Sequence, residues 1–282
     1  MTTRIDAPSN PRIAVAVKAA ASGEFMLLES RRMIEDALDA GVQIEEIFLQ
    51  KGLDEEREEE KDFLRRIRGE GGALAKAPAP RVTEVSARVL RRLSDLPSTR
   101  GVVALAPPPN RTLASLSPLL PSKKSSSSSS PLFLVLDDVQ DPANVGAIFR
   151  SGEAFGAAAV LLTPGCAWPF SPRALRASAG SAFRLPVAAR VAAGETVAWA
   201  RRYGIALAGA DAHAGIAPEA LASVRPIALV IGSEGHGISP ELAAALDHRV
   251  TIPLLGRVES LNAAVAVGVL LHVLTRPAAP PG

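Results

Sequence analysis

Apolar residues along this chain gather into short unbroken runs, with stretches of helical spacing between them. In the first third, runs at 44–49, 82–85 and 101–106 read as strands, and the spacing predicts helices over 25–40, 54–68 and 87–96. Gly41 stops the first helix. Glu55, Glu56 and Glu58 open the second and Arg65, Arg66 and Arg68 close it, which suits the helix dipole. After residue 131 the alternation is stronger. Strands are expected at 132–136, 158–162, 205–208, 227–231 and 250–252, and helices at 144–155, 172–182, 196–203 and 261–274. Continuous apolar strands alternating with helices imply a mostly parallel sheet covered on both faces. Ligands in such sheets bind where loops leave the carboxyl ends of the strands.

Between the two patterned regions the pattern disappears. Pro107, Pro108 and Pro109 stop the preceding strand; Pro118, Pro121, Lys123, Lys124 and six serines at 125–130 follow. Such a run buries no apolar surface and reads as a flexible tether. The expected organisation is a small α/β domain at 1–108, a linker at 109–130 and a larger α/β domain at 131–282. The length of 282 residues fits two domains. With 48% hydrophobic and 21% charged residues, a wholly disordered or fibrous chain is excluded.

A single cysteine, Cys166, makes neither an internal disulfide nor a cysteine-based zinc site. Four histidines (His213, His236, His248, His272) give little support to a metal site. Residues 1–12 contain no apolar signal region, and no run of eighteen apolar residues occurs, so no membrane association and a cytoplasmic protein are expected. Net charge is +2, but the charges are unevenly placed: every lysine lies in residues 1–124, and residues 125–282 use arginine alone. Arginine suits fixed, bidentate contacts better than lysine does.

Three loops carry candidate chemistry. The first holds Asn144, Gly146 and Arg150 on or beside a helix started by Asp141-Pro142, with Phe155-Gly156 after it. Six residues apart, Asn144 and Arg150 do not share a helix face, so Asn144 reads as a cap or loop group. Arg150, among Ile148, Phe149 and Phe155, is either functional or a side chain reaching over apolar surface to solvent. The second is Gly232-Ser233-Glu234-Gly235-His236-Gly237, directly after an apolar strand, with Ser239 and Pro240 starting a helix. Its spacing matches no dinucleotide fingerprint, P-loop or serine-hydrolase elbow. Three glycines around a carboxylate exceed what a tight turn needs and let backbone approach a ligand. The third runs from Ile252-Pro253 through Gly256 and Glu259 to Ser260-Leu261-Asn262, where Ser260 and Asn262 alone would read as helix-capping groups.

In order and spacing (N-x-G-x-x-x-R…F-G, then G-x-E-x-x-G, then I-P-x-x-G-x-x-x-S-L-N), the three loops resemble the signature motifs of the SpoU (TrmH-like) branch of the SPOUT RNA methyltransferases. The likeness covers about residues 131–276. The first part, roughly 10–107, is similar to the ribosomal-protein-like substrate-binding domain often fused to that catalytic domain. The resemblance implies a trefoil knot in the C-terminal domain, an exception to the rule against threaded chains. It implies S-adenosyl-L-methionine as methyl donor, the ribose 2′-hydroxyl of RNA as acceptor, no DNA, and a homodimer joined near the last helix. By position, Gly232, Ile252 and Leu261 match the family's cofactor-contacting residues. Asn144, Arg150, Glu234, Ser260 and Asn262 match its catalytic-site residues.

An arginine is effectively always protonated, so Arg150 is expected to bind phosphate and ribose and to stabilise developing alkoxide charge, with Glu234 and Asn144 holding its guanidinium or the ribose. The separate substrate domain favours ribosomal RNA by analogy. The alternatives are a transfer-RNA 2′-O-methyltransferase, a base-methylating SPOUT enzyme, and a non-catalytic knotted module for RNA binding or ribosome assembly.

Overall fold

The computed structural model describes residues 3–52, 58–67, 79–94, 96, 101–119 and 131–276. Expectations for Glu55, Glu56, Arg68, Lys123, Lys124 and the serine run lie outside these residues. The chain divides into two compact units, Met1–Pro109 with Phe170–Pro172, and Asn110–Pro169 with Arg173–Gly282.

The first unit runs β1 (Thr3–Ile5), α1 (Pro11–Ser22), β2 (Met26–Leu28), α2 (Arg31–Asp39), β3 (Glu46–Gln50), α3 (Glu58–Ile67), β4 (Arg81–Val85), α4 (Ala87–Leu93) and β5 (Val102–Ala106). Its sheet has the order β1-β4-β3-β5-β2. The helix expected over 25–40 is instead β2 followed by α2. Leu27 pairs with Leu105 across an antiparallel ladder, and the Ser30 hydroxyl accepts from Met33 N at 3.2 Å, so the helix cannot start before Arg31. Helix α1, absent from the periodicity reading, is set by local signals. The Asn10 side chain accepts from Arg12 N, Pro11 takes the first position, and Gly23 at φ 78° ends it.

The second unit begins within the segment read as a tether. Asn110 bridges to Val187, its side-chain oxygen accepts from Ala189 N, and a 3₁₀ segment at Leu113–Leu119 buries Leu116 in the core. Proline and serine content hid this because three leucines, spaced three apart, supply the packing. Then follow β6 (Leu132–Leu136), α5 (Pro142–Ala154), β7 (Ala159–Leu162), α6 (Pro172–Ser178), α7 (Ser181–Arg184), β8 (Val187–Ala189), α8 (Ala193–Tyr203), β9 (Ala206–Ala210), β10 (Ile227–Ile231), α9 (Pro240–Ala244), β11 (His248–Val250) and α10 (Ala263–Thr275). The helix expected over 172–182 is broken, because Ala179 and Gly180 adopt φ 48° and 85°.

The sheet of this unit has the order β11-β9-β10-β6-β7-β8, and its strand pairs are parallel. Strands β6 and β10 lie side by side at its centre, from Ile227 opposite Leu132 to Ile231 opposite Leu136, and both are buried throughout. The chain reaches opposite halves of the sheet from this pair, so the loops leaving β6 and β10 open a crevice at the carboxyl edge. Among the described residues, no helix is long and apolar enough to cross a membrane, and no cluster of side chains suits a metal ion.

Candidate active site

Asp141 caps α5 by accepting from Ala143 N at 2.9 Å, and Pro142 takes the first helical position. Asn144 therefore lies inside the first turn and is not the cap expected from spacing. It is buried, and its side chain points into a polar cluster. Asn144 Nδ2 donates to Glu234 Oε1 at 2.6 Å. Asn262 Nδ2 donates to Asn144 Oδ1 at 3.0 Å and to Glu234 Oε1 at 3.2 Å. Asn262 is also the N-cap of α10, its oxygen accepting from Ala264 N and Val265 N. One asparagine thus starts the last helix and closes a ring of three side chains from three loops.

Gly146 has a different task from its neighbours. A Cβ there would lie 2.3 Å from Ala174 O and 2.6 Å from Ala177 Cβ, so the glycine lets α5 sit against α6. Gly232 likewise faces its own loop: a Cβ would meet the Gly237 carbonyl carbon at 2.2 Å and Ile238 N at 2.4 Å. The loop closes on itself through Ser233 N to Gly237 O (3.0 Å) and Gly237 N to Ser233 O (2.9 Å). The glycine spacing reflects this fold-back as well as access for a ligand.

A cleft of about 580 Å³ opens at the carboxyl ends of β9, β10 and β11. Gly232, Glu234, Ile252, Ser260 and Leu261 line it, so five of the sequence-derived residues share one wall. Asn144 and Asn262 join it through Glu234. Arg150 lies elsewhere on α5, about 120° around the helix from Asn144. It is exposed, while Ile148 and Phe149 are buried on the other side, and it makes no hydrogen bond or ion pair with a described residue. Of the two tasks expected of Glu234 and Asn144, holding its guanidinium is not what they do; they bond to each other and to Asn262.

Sequence reading missed Asp211, His213 and Arg249, which also line the cleft. Asp211 follows β9 and accepts from His213 N, Ala214 N and Arg249 Nη1. The His213 amide, with Ala214 and the Arg249 guanidinium, holds its carboxyl below the usual carboxylate range against the opposing effect of burial. The only signal was an acidic residue ending an apolar strand. The cleft fits S-adenosyl-L-methionine in kind. Its volume lies in the ordinary ligand range, Ile252, Leu254 and Leu261 supply apolar wall, and Asp211, Glu234 and Glu259 put carboxylates beside it for the amino and hydroxyl groups of such a cofactor.

A parallel sheet with a cleft and a polar ring at its carboxyl edge defines an α/β domain built to bind a ligand there, and the chains similar to it are SpoU methyltransferases, with which a trefoil-knot domain is consistent. Residues 131–272 match the SpoU rRNA Methylase family and residues 20–104 match the MRM3-like substrate binding domain. An uncharacterized tRNA/rRNA methyltransferase of Mycobacterium ulcerans is 40% identical over 146 residues, 51% of this chain and 47% of that protein. The chain therefore spans about half the length of the curated relatives it matches. A crystal structure of an RNA 2′-O ribose methyltransferase is 30% identical with a TM-score of 0.70, covering 96% of this chain and 98% of that one. The SpoU methyltransferase AviRb of Streptomyces viridochromogenes, in complex with AdoMet, is 25% identical with a TM-score of 0.74, covering 94% and 97%. The chain belongs to the SpoU family of S-adenosyl-L-methionine-dependent RNA methyltransferases.

Proposed function

We propose that the chain methylates a ribose 2′-hydroxyl of RNA, ribosomal rather than transfer RNA, with residues 1–108 as the RNA-holding part. The observation that carries this reading is the Asn144–Glu234–Asn262 ring, which reaches the cleft through Glu234. When bound, S-adenosyl-L-methionine supplies an electrophilic methyl group on a sulfonium. Gly232, Ile252 and Leu261 hold it along the cleft. Glu234 Oε1 is engaged by both amides, and its second oxygen, which accepts from no described residue, is available to the ribose hydroxyl. Arg150, outside the cleft of its own chain, keeps its donors free for the target phosphate and for charge developing on the oxygen in an active site shared across the homodimer proposed below. Ser260, exposed on the cleft wall, offers its hydroxyl to the ribose. Alignment of the hydroxyl with the methyl supplies much of the rate.

Mapping ribose methylation in total RNA, with and without the protein, tests this directly. A new nuclease-resistant dinucleotide in ribosomal RNA is the expected result. A mark confined to transfer RNA, a methylated base, or no mark selects each alternative in turn.

Two features support the proposed partners. On α4, Arg88, Arg91 and Arg92 lie three and four residues apart on one exposed face and form no ion pair with a described residue. Arg65 and Arg66, by contrast, are paired with Asp62 and Asp39. Replacing the three α4 arginines by alanine is expected to weaken RNA binding and to flatten its salt dependence by about two units of slope. Filter binding across a salt series reads this, while cofactor affinity stays unchanged.

Helix α10 exposes Val265 and Val269, one turn apart, and Leu255 and Val258 are exposed in the loop before it. A second copy covering this apolar stripe gives the homodimer proposed here. Sedimentation at micromolar concentration is expected to show a dimer, and Val265→Glu with Val269→Glu to show monomer.

A further inference from the structure

Asp137 immediately follows β6 and is 3% exposed, yet the transfer described above does not use it. A buried carboxylate is costly unless hydrogen-bonded, and this one is bonded to a single loop. Asp137 N donates to Ile231 O at 2.8 Å. Asp137 Oδ2 accepts from Ser239 N at 2.6 Å. Ile231 and Ser239 are the residues on either side of the 232–238 loop. Inside it, the Ser233–Gly237 pair forms the pinch and Ser233 Oγ accepts from His236 N at 3.1 Å. Both feet of the loop therefore stand on one residue. The Ser239 hydroxyl does not share the task, because its oxygen is buried without a partner among the described residues.

We infer that Asp137 is a positioning residue. Its carboxylate fixes the Ser239 end of the 232–238 loop, while its backbone N–H, continuing the β6–β10 pairing, holds the Ile231 end, and so Glu234 is set against Asn144 and Asn262. The inference rests on reading the cleft and the ring as the methyl-transfer site. Its physical content is separable: the carboxylate determines the order of the loop's Ser239 end before any ligand arrives.

The test compares the full chain with Asp137→Ala and Asp137→Asn by hydrogen exchange and by methyl-transfer kinetics. In Asp137→Ala, exchange is expected to rise in residues 232–239, while α5 and β7 keep their protection. Misplacing Glu234 should lower kcat by on the order of 10²-fold, with the KM for RNA little changed. Asparagine keeps an oxygen that accepts from Ser239 N, so Asp137→Asn should restore loop protection and most of the rate. The double variant with Glu234→Gln should be no slower than the slower single variant, since both changes disable one unit. Where Asp137→Ala does not fold, Ser239→Pro removes the donor at a residue whose φ of −56° proline adopts. Unchanged exchange in the loop, loosening of the whole domain in both variants, or multiplicative losses with Glu234→Gln would overturn the inference. If the unaltered protein transfers no methyl group, the proposed function fails, and the exchange data still decide the role of Asp137.

Discussion

Arg150→Ala is expected to lower methyl transfer by on the order of 10²–10³-fold, the usual cost of losing one donor that acts on transition-state charge. Thermal stability and cofactor affinity should stay where they are. The exposure of Arg150 and its lack of a bonded partner among the described residues remove the structural explanation for such a loss. Its helix is held by the opposite face, where Val145, Ile148 and Phe149 are buried. A group that acts only as charge develops affects kcat and kcat/KM together and leaves ground-state binding alone. Arg150→Lys sharpens the test, since lysine keeps the charge but loses the planar fork. Single-turnover transfer from labelled cofactor, with calorimetric binding in parallel, separates the outcomes. A lysine variant of near-full activity would show that the fork is not needed. A variant that melts early and binds cofactor poorly would return Arg150 to a structural role.

Asn262→Asp should separate two tasks held by one residue. As the N-cap of α10, Asn262 offers an oxygen to Ala264 N and Val265 N, and aspartate caps about as well. As a ring member it donates to Asn144 and Glu234, and aspartate has no such donor. The substitution should keep the helix start and cost transfer on the order of 10²-fold through displacement of Glu234. It also places a second carboxylate beside Glu234, and like charges favour the protonated form of one of them. Folded-state pKa values raised in this way weaken stability above the carboxylate range and cease to matter as pH falls through it. The variant should therefore melt below the unaltered protein at about pH 8 and approach it near about pH 4. Asn262→Ala loses the cap as well, a further cost of about 1 kcal/mol at any pH. Melting curves of the two variants at both pH values check the assignment. Equal melting of Asn262→Asp and the unaltered protein at about pH 8 would mean that no carboxylate stands beside position 262.

Some of this was fixed by residue order alone. Strands β6 and β10 were legible end for end, because each is an unbroken apolar run of five bounded by other residue types. The starts of α5 and α10 were near where local capping chemistry put them: Asp141-Pro142 opens one, and Asn262 rather than Leu261 opens the other. The cleft-lining set Gly232, Ile252 and Leu261 came only from the likeness of the three loops to the family's motifs; neither period nor composition marks these residues. Strands β1, β2 and β8, three residues each, were not legible, because a run that short has no measurable period and is defined by the neighbour that pairs with it.

The tertiary structure decided which of the marked residues meet. Asn144 and Glu234 are 90 residues apart and Asn144 and Asn262 are 118 apart, yet their amides and carboxylate share hydrogen bonds. No local rule predicts that contact, because side-chain partners are chosen by the order in which strands enter the sheet. The same order left Arg150 outside the ring on the solvent side of α5, and filled the space beside Gly232 with the backbone of Gly237 and Ile238. Sequence determined which groups were available and how their local elements begin. The parallel sheet determined the rest, because placing β6 beside β10 brings Asp137 within hydrogen-bonding reach of both Ile231 and Ser239.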